Sequence, residues 1–350
     1  MILDLDVGLI AAPMAGGPTT SALVIAAARA GGLGFLAAGY RTPESLAEQI
    51  AAVRAAAVPF GVNLFAPPSV PVDPAAYRRY RSALQTEADR YGVSLPAAPR
   101  EDDDHWSDKV ALLLADPVPV VSFTFGVPDA AVLDALRRAG TLTLQTVTSA
   151  DEAKLVAGVD ALVVQAPAAG GHSGTFTPAR PWPPQPPSSA VRSAPPPSSA
   201  ALVDLVGAVR GVTRLPVLAA GGLATAGDVA AVLAAGAGAA IVGTVLLLAD
   251  EAGTSAPYRS ALAAADRDTV VTRAFSGRPA RALPNGFVDR YDALAPLGYP
   301  AVHHLTSPIR RAATAAGDPE RINLWAGTGY RQARAEPVAA TFARLSGGGG

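Results

Sequence analysis

One histidine, His172, stands near the end of the run Gln165-Ala-Pro-Ala-Ala-Gly-Gly-His-Ser-Gly174, which follows the apolar stretch Ala161-Leu-Val-Val164. Imidazole exchanges protons near neutral pH. A histidine at a strand end can therefore take a proton from a substrate or, once protonated, hold an anion by charge-assisted hydrogen bonds. Residue types alone leave both roles open. The adjacent Gly170 and Gly171 let a ligand approach the backbone without interference from a Cβ. Small or amide-bearing residues recur at other strand ends: Pro13-Met14-Ala-Gly-Gly17, Asn63, Ala219-Ala-Gly-Gly222 and Gly243-Thr244. Glycine turns at 221–222 and 243, each leading into a helix start, suit a phosphate group, because N–H groups and the helix dipole both favour an anion there. The remaining histidines suggest less. His105 follows the acidic run Asp102–Asp104 and is expected at the surface. His303-His304 lacks a third ligand and its adjacent side chains diverge, so no metal site is expected.

Elements must bring these scattered residues together. Short apolar runs at Leu9–Pro13, Leu33–Ala37, Phe60–Phe65, Val118–Phe123, Leu142–Val147, Ala161–Gln165, Val217–Ala220 and Ala239–Val242 alternate with Ala-rich helical segments. That rhythm predicts an α/β fold with a parallel sheet, and eight units favour a closed (β/α)8 TIM-type barrel over an open doubly wound sheet. No Gly-x-Gly-x-x-Gly turn follows the first strand, which argues against a dinucleotide-binding sheet. The barrel is expected over residues 1–250, with its chemistry at the C-terminal ends of the strands. Two segments break the rhythm. Residues 73–108, with Tyr77, Tyr80, Tyr91 and Trp106, predict a helical insertion over the barrel mouth, and the Pro-rich 178–199 predicts a mobile loop. Residues 251–346 are expected to form a helix and loop extension that completes a substrate pocket, ahead of a disordered glycine tail at 347–350.

Composition narrows the class. Half of the 350 residues are hydrophobic and 16% charged, enough for a large core. A net charge of −1 gives no reason to expect nucleic acid or an anionic membrane as partner. Lys109 and Lys154 are the only lysines, and there is no cysteine. That excludes disulfides, thiolate metal sites and a cysteine nucleophile. The acidic start, Met1-Ile-Leu-Asp-Leu-Asp6, is unlike a signal peptide. The apolar run 229–249 is long enough to span a bilayer but divides at Gly236-Ala-Gly238 into a buried helix and strand. A cytoplasmic monomer or homodimer acting on a small molecule is expected.

Taken together, Pro13-Met-Ala-Gly-Gly17, Gly61-Val-Asn-Leu-Phe65, Gln165 with Ala169-Gly-Gly-His172, Ala220-Gly-Gly-Leu223 and Val242-Gly-Thr244 resemble the nitronate monooxygenases, formerly 2-nitropropane dioxygenases. The likeness continues through Thr272-Arg-Ala-Phe-Ser-Gly-Arg278 and Asn323-Leu-Trp-Ala-Gly327, and is greatest to the class I bacterial branch. It implies a barrel that binds FMN and oxidises alkyl nitronates with O2 to a carbonyl compound and nitrite, with no metal or nicotinamide. By the same likeness His172 is catalytic, and Asn63 and Gln165 contact the isoalloxazine. Met14, Gly170 and Gly171 line the flavin, while Gly222, Ile241, Val242, Gly243 and Thr244 hold its phosphate. Tyr299, His303 and Arg310 are candidate partners for a substrate carboxylate, with propionate 3-nitronate the natural candidate. The chain also departs from the family pattern. Ala168 replaces an acidic residue of many relatives, Ile241 replaces a common glutamine, and no lysine accompanies Tyr299–His304.

Two rival readings remain at this level. One is a related flavin barrel that uses NAD(P)H to reduce an enoyl thioester or a quinone. The other is a flavin-binding protein without turnover. A third, the cysteine-dependent nucleotide dehydrogenases with similar Gly-Gly loops, is removed by the absence of cysteine.

Overall fold

The computed structural model describes Leu3 and residues 5–67, 71–177 and 199–347. The expectations for the Pro-rich 178–198 and the tail 348–350 fall outside them. Eight parallel strands form a closed barrel: β1 (Leu9–Ala11), β2 (Leu33–Ala37), β3 (Gly61–Phe65), β4 (Val120–Thr124), β5 (Leu142–Val147), β6 (Ala161–Gln165), then, past a two-residue β7 (Gly171–His172), β8 (Val217–Ala220) and β9 (Ala239–Val242). Pairing of β9 with β1, Ile10 opposite Ile241, closes the ring. A TIM barrel is thus present, with the eight strands where the apolar runs place them.

Alternation along each strand divides two cores. Leu9, Ala11, Val62, Leu64, Val121, Phe123, Leu162, Val164, Ala240 and Val242 face outward into the layer beneath the helices. Ile10, Leu33, Phe35, Val120, Leu144, Ala161, Val163, Leu218, Ala239 and Ile241 face inward and fill the barrel. Because the period is two, the next inward position along the strand is often a polar residue at the barrel's upper end: Asn63, Ser122 and Thr124, Thr146, and Gln165. Strand parity therefore decides which side chains reach the site.

Seven helices follow the strands in turn: Ser21–Arg29, Pro43–Ala55, Trp106–Ala115, Ala130–Arg138, Ala150–Leu155, Ser199–Arg210 and Ala226–Ala234. Two boundaries differ from expectation. Trp106–Ala115 packs between its barrel neighbours as the third barrel helix, so the insertion after β3 ends before it. The eighth barrel helix comes from the far end of the chain. Val338–Leu345 sets Val338, Phe342 and Leu345 into the outer core, beside Ser21–Arg29 and Ala226–Ala234. The extension outside the barrel is thus 251–337, and the last helix closes the ring.

Between these limits the insertion and extension share a core of their own. Tyr77, Tyr80 and Ala88, on helices Pro74–Ala83 and Gln85–Tyr91, and Leu84 between them belong to one core with Phe275, Phe287, Tyr291, Val302, Leu305 and Ile309. Buried Glu87 joins them, its carboxylate 2.9 Å from Arg321 Nε. A small antiparallel sheet ties this body to the barrel mouth: β10 (Val270–Thr272) pairs with β11 (Ala280–Ala282), which pairs with β7. Among the described residues no helix is long and apolar enough to cross a membrane. The apolar run 229–249 is helix Ala226–Ala234, β9 and a 3-10 turn, Thr244–Leu246.

Candidate active site

A cavity of about 330 Å³ opens at the C-terminal ends of the barrel strands, within the size range of small-molecule sites. The inward residues Phe35, Asn63, Phe65, Ser122, Thr124, Thr146, Val163, Gln165 and Ile241 form its floor and sides. The strand-end turns add Met14, Gly170, Gly171, Gly222, Gly243 and Thr244, and His172 stands on one wall. Of the residues expected to hold a cofactor, only Val242 is elsewhere. It is 1% exposed in the outer core, because its parity is opposite to that of Ile241.

His172 belongs to a strap fixed on every side. Across β7 and β11 it pairs with Ala280. The Gln165 amide holds both ends of the turn, donating to His172 O at 3.3 Å and accepting from Gly174 N at 2.7 Å. Gln165 faces the cavity, but its amide positions the strap. Arg278 Nε donates to Ser173 O at 3.0 Å. The buried Glu152 carboxylate accepts from Thr175 Oγ1, from Phe176 N at 2.9 Å and from Thr177 N at 3.2 Å. Burial pushes the Glu152 carboxyl up, yet the hydroxyl and N–H donors outweigh it and leave it below the usual range.

The imidazole packs among Phe125, Tyr299 and Trp325, with ring centroids at 5.8, 5.6 and 5.2 Å. Nε2 lies 2.8 Å from Ser276 Oγ. Burial, with the positive charges of Arg278 and Arg310 behind it, holds His172 down to about 3. The ring is therefore neutral across the physiological range, with one nitrogen able to accept a proton. Both arginines are part-buried, and the loss of solvent pulls them down to about 10; among the described residues neither forms an ion pair. Arg278 lies 3.9 Å over the Phe125 ring. The wall near His172 thus combines aromatic faces with a positive field, an environment for a small anion.

Around the strand-end turns, glycines permit close backbone packing. At Gly222 the backbone is left-handed, φ 79°, and an added Cβ would come within 2.7 Å of Ala168 Cβ. At Gly170 a Cβ would meet Gly327 N at 2.5 Å. The extension closes this turn: Gly327 N donates to Thr244 Oγ1 at 3.0 Å and Thr328 N to Ala168 O at 3.1 Å. One expectation changes here. Helix Ala226–Ala234 is not an open anion site, because Thr225 and Asp228 form a capping box and the Asp228 carboxylate takes Ala224 N and Thr225 N. Any phosphate would rest on the glycine turns. Thr254 Oγ1, also on the cavity wall, is buried without a hydrogen-bond partner among the described residues, and a polar group in the cavity would satisfy it.

Tyr299, His303 and Arg310 do not face the cavity; they form the layer behind it. His303 lies under the Tyr40 ring, centroids 4.0 Å apart and nearly parallel. Arg310 is engaged by Thr306 Oγ1 at 3.1 Å, Asn323 Oδ1 at 2.9 Å and His303 O at 3.0 Å. Tyr40, Phe125, Asn323 and Trp325 occupy the wall in front. Tyr40 went unnoticed in the sequence, although its place just after β2 marks it as a strand-end residue. His105 is half exposed near Asp108, and among the described residues no cluster could hold a metal.

The nitronate monooxygenase family model matches residues 5–345. A probable nitronate monooxygenase of Staphylococcus aureus (strain Newman) is 32% identical over 344 residues, covering 96% of this chain and 92% of that protein. Nitroalkane oxidase from Streptomyces ansochromogenes superposes with a TM-score of 0.88 at 43% identity, covering 98% of this chain and 96% of that one. FabK from Thermotoga maritima superposes with a TM-score of 0.72 at 26% identity, covering 98% and 93%. With matches of this extent to the family model and to such relatives, the chain belongs to the nitronate monooxygenase family of oxidoreductases.

Proposed function

We propose that this chain binds FMN in the cavity at the barrel mouth and oxidises an alkyl nitronate with O2, giving a carbonyl compound and nitrite. The observation that carries this reading is a neutral, strapped His172 in the field of two part-buried guanidinium groups that form no ion pair among the described residues, in a cavity that the strand-end glycine cradle also lines. The cradle suits the phosphate, and Asn63 suits an amide-edged ring: its Nδ2 is fixed by Ser122 Oγ at 2.9 Å and Thr124 Oγ1 at 3.1 Å. When bound, the flavin supplies the electron acceptor and the reaction with oxygen. The protein does the rest. The aromatic wall of Phe65, Phe125 and Trp325 excludes water, and the field of Arg278 and Arg310 favours the nitronate over a neutral competitor.

His172 fits the role of proton acceptor better than that of a standing cation. A neutral nitroalkane would give its α-proton to His172 and become the nitronate, whose negative charge offsets the two guanidinium charges and raises the basicity of the ring; a substrate that arrives as the nitronate needs no such transfer. Propionate 3-nitronate is the proposed substrate, its carboxylate drawn by the same field. The purified protein should be yellow with FMN and release nitrite from propionate 3-nitronate in air. His172→Ala should keep the flavin and lose roughly 10²–10⁴-fold in turnover. Normal turnover by His172→Ala, or rapid anaerobic bleaching by NADH but not by nitronate, would overturn the assignment in favour of a nicotinamide-dependent reductase.

A further inference from the structure

Two aromatic residues of the cavity wall, Tyr40 and Phe125, have φ angles of 67° and 80°. Bulky side chains avoid that region, and where it occurs the surroundings must enforce it. Phe125 has the Arg278 guanidinium against its ring. Tyr40 is held by something else. Its N–H donates to Asp104 Oδ1 at 2.9 Å, and Asp104 Oδ2 accepts from Lys109 Nζ at 2.7 Å. The same ammonium donates to Ala38 O at 2.9 Å. Lys109 therefore grips the turn after β2 twice, directly at Ala38 and through the carboxylate at Tyr40.

The pair is buried, its side chains 2% and 18% exposed for Lys109 and Asp104. Asp104 and the following His105 are themselves left-handed, φ 57° and 56°, at the end of the insertion. In a chain with 28 basic residues, of which Lys109 and Lys154 are the only lysines, a lysine occupies this place. A compact ammonium can reach a carbonyl and a carboxylate at once, where the planar fork of arginine would need more room.

The far end of Tyr40 shows what this accomplishes. The ring stacks on His303, its hydroxyl lies 3.1 Å from that of Tyr299, and its edge meets Phe65 with centroids 5.4 Å apart. Tyr40 thus stands as a partition between the cavity and the layer of His303 and Arg310. We propose that Tyr40 determines substrate length, by limiting how far a chain can extend past its ring toward Arg310, and that the buried Asp104–Lys109 pair is the positioning device that holds it. This inference rests on nitronate oxidation at His172.

The test compares kcat/KM for ethyl, butyl and hexyl nitronates. Tyr40→Ala should raise the hexyl-to-ethyl ratio by about tenfold, the scale on which a pocket discriminates a few methylenes. Tyr40→Asn, which tolerates the left-handed backbone, serves if the alanine variant does not fold. The neutral double variant Asp104→Asn/Lys109→Met should shift the ratio the same way. Added to Tyr40→Ala, it should change the ratio no further, because contacting residues that act as a unit are non-additive. A general loss of activity at unchanged ratio, or an additive effect on the ratio, overturns the proposal.

A second readout needs no turnover. In protein labelled with 3-fluorotyrosine, the fluorine signal absent from Tyr40→Phe belongs to Tyr40. It should move in Asp104→Asn/Lys109→Met while most of the other tyrosine signals stay. An unmoved Tyr40 signal overturns the positioning role. If the wild type oxidises no nitronate yet the signal moves, the assigned activity fails and the positioning role stands.

Discussion

His172 owes its neutrality to its neighbours, and that has a consequence for stability as well as for chemistry. In the folded chain it is held down to about 3, against an ordinary 6.5, and His303 is pushed well below 6.5 by burial and by Arg310. The unfolded chain therefore binds more protons than the folded one between about pH 3 and pH 6.5, so stability rises with pH through that window and levels off above it. His172→Gln should weaken the dependence, seen as a smaller difference between urea midpoints at pH 5 and pH 7.5 than in the wild type. An unchanged difference would mean that the ring is free to ionise in the fold. At Gly222 the argument is steric. Gly222→Leu, in a left-handed backbone 2.7 Å from Ala168 Cβ, should purify without flavin, measured as the ratio of 450 nm to 280 nm absorbance. Full flavin occupancy would mean the cradle is drawn in the wrong place. That His172 and the glycines would line one cavity was legible, because they stand at strand ends. Tyr40 was not, because nothing local shows that Lys109, far along the chain, fixes its backbone.

Elements were legible to the extent that their signals are local. Each barrel strand is a short apolar run, and parity explains why Ile241 faces the cavity while adjacent Val242 does not. The third and eighth barrel helices were misjudged for a different reason. Trp106–Ala115 follows a long insertion, and Val338–Leu345 follows an extension of nearly a hundred residues, so neither sits where the βα rhythm would put it. The partner that decides the last helix lies across the ring: Phe342, 1% exposed, packs over Gly32, where an added Cβ would meet its ring at 2.6 Å. Phe342→Ala should lower unfolding stability by about 3–5 kcal/mol, as expected for an aromatic removed from a packed core. A urea-denaturation loss below about 1 kcal/mol would show that the helix is an appendage and not part of the barrel wall.

At the scale of the molecule, two bodies meet over one cavity. The barrel supplies the floor and the glycine turns; the shared core of insertion and extension supports the aromatic wall and presses Gly327 against Thr244. The fold class was legible from the count of alternating units, whereas the second core was not. Its members, Tyr77 and Tyr80 on one segment and Phe275, Phe287 and Leu305 on another, are separated by nearly two hundred residues, and no periodicity links them. The place of the last helix also bears on how the protein is made. A ribosome releases the chain from its N-terminus onward, so all eight strands emerge while one side of the ring still lacks its cover. Until residue 345 is out, the outer faces of β1 and β9 stand open to water and to other nascent chains. A chain stalled after residue 250 should thus be a client for chaperones, and a stop codon there should yield aggregate instead of a smaller barrel.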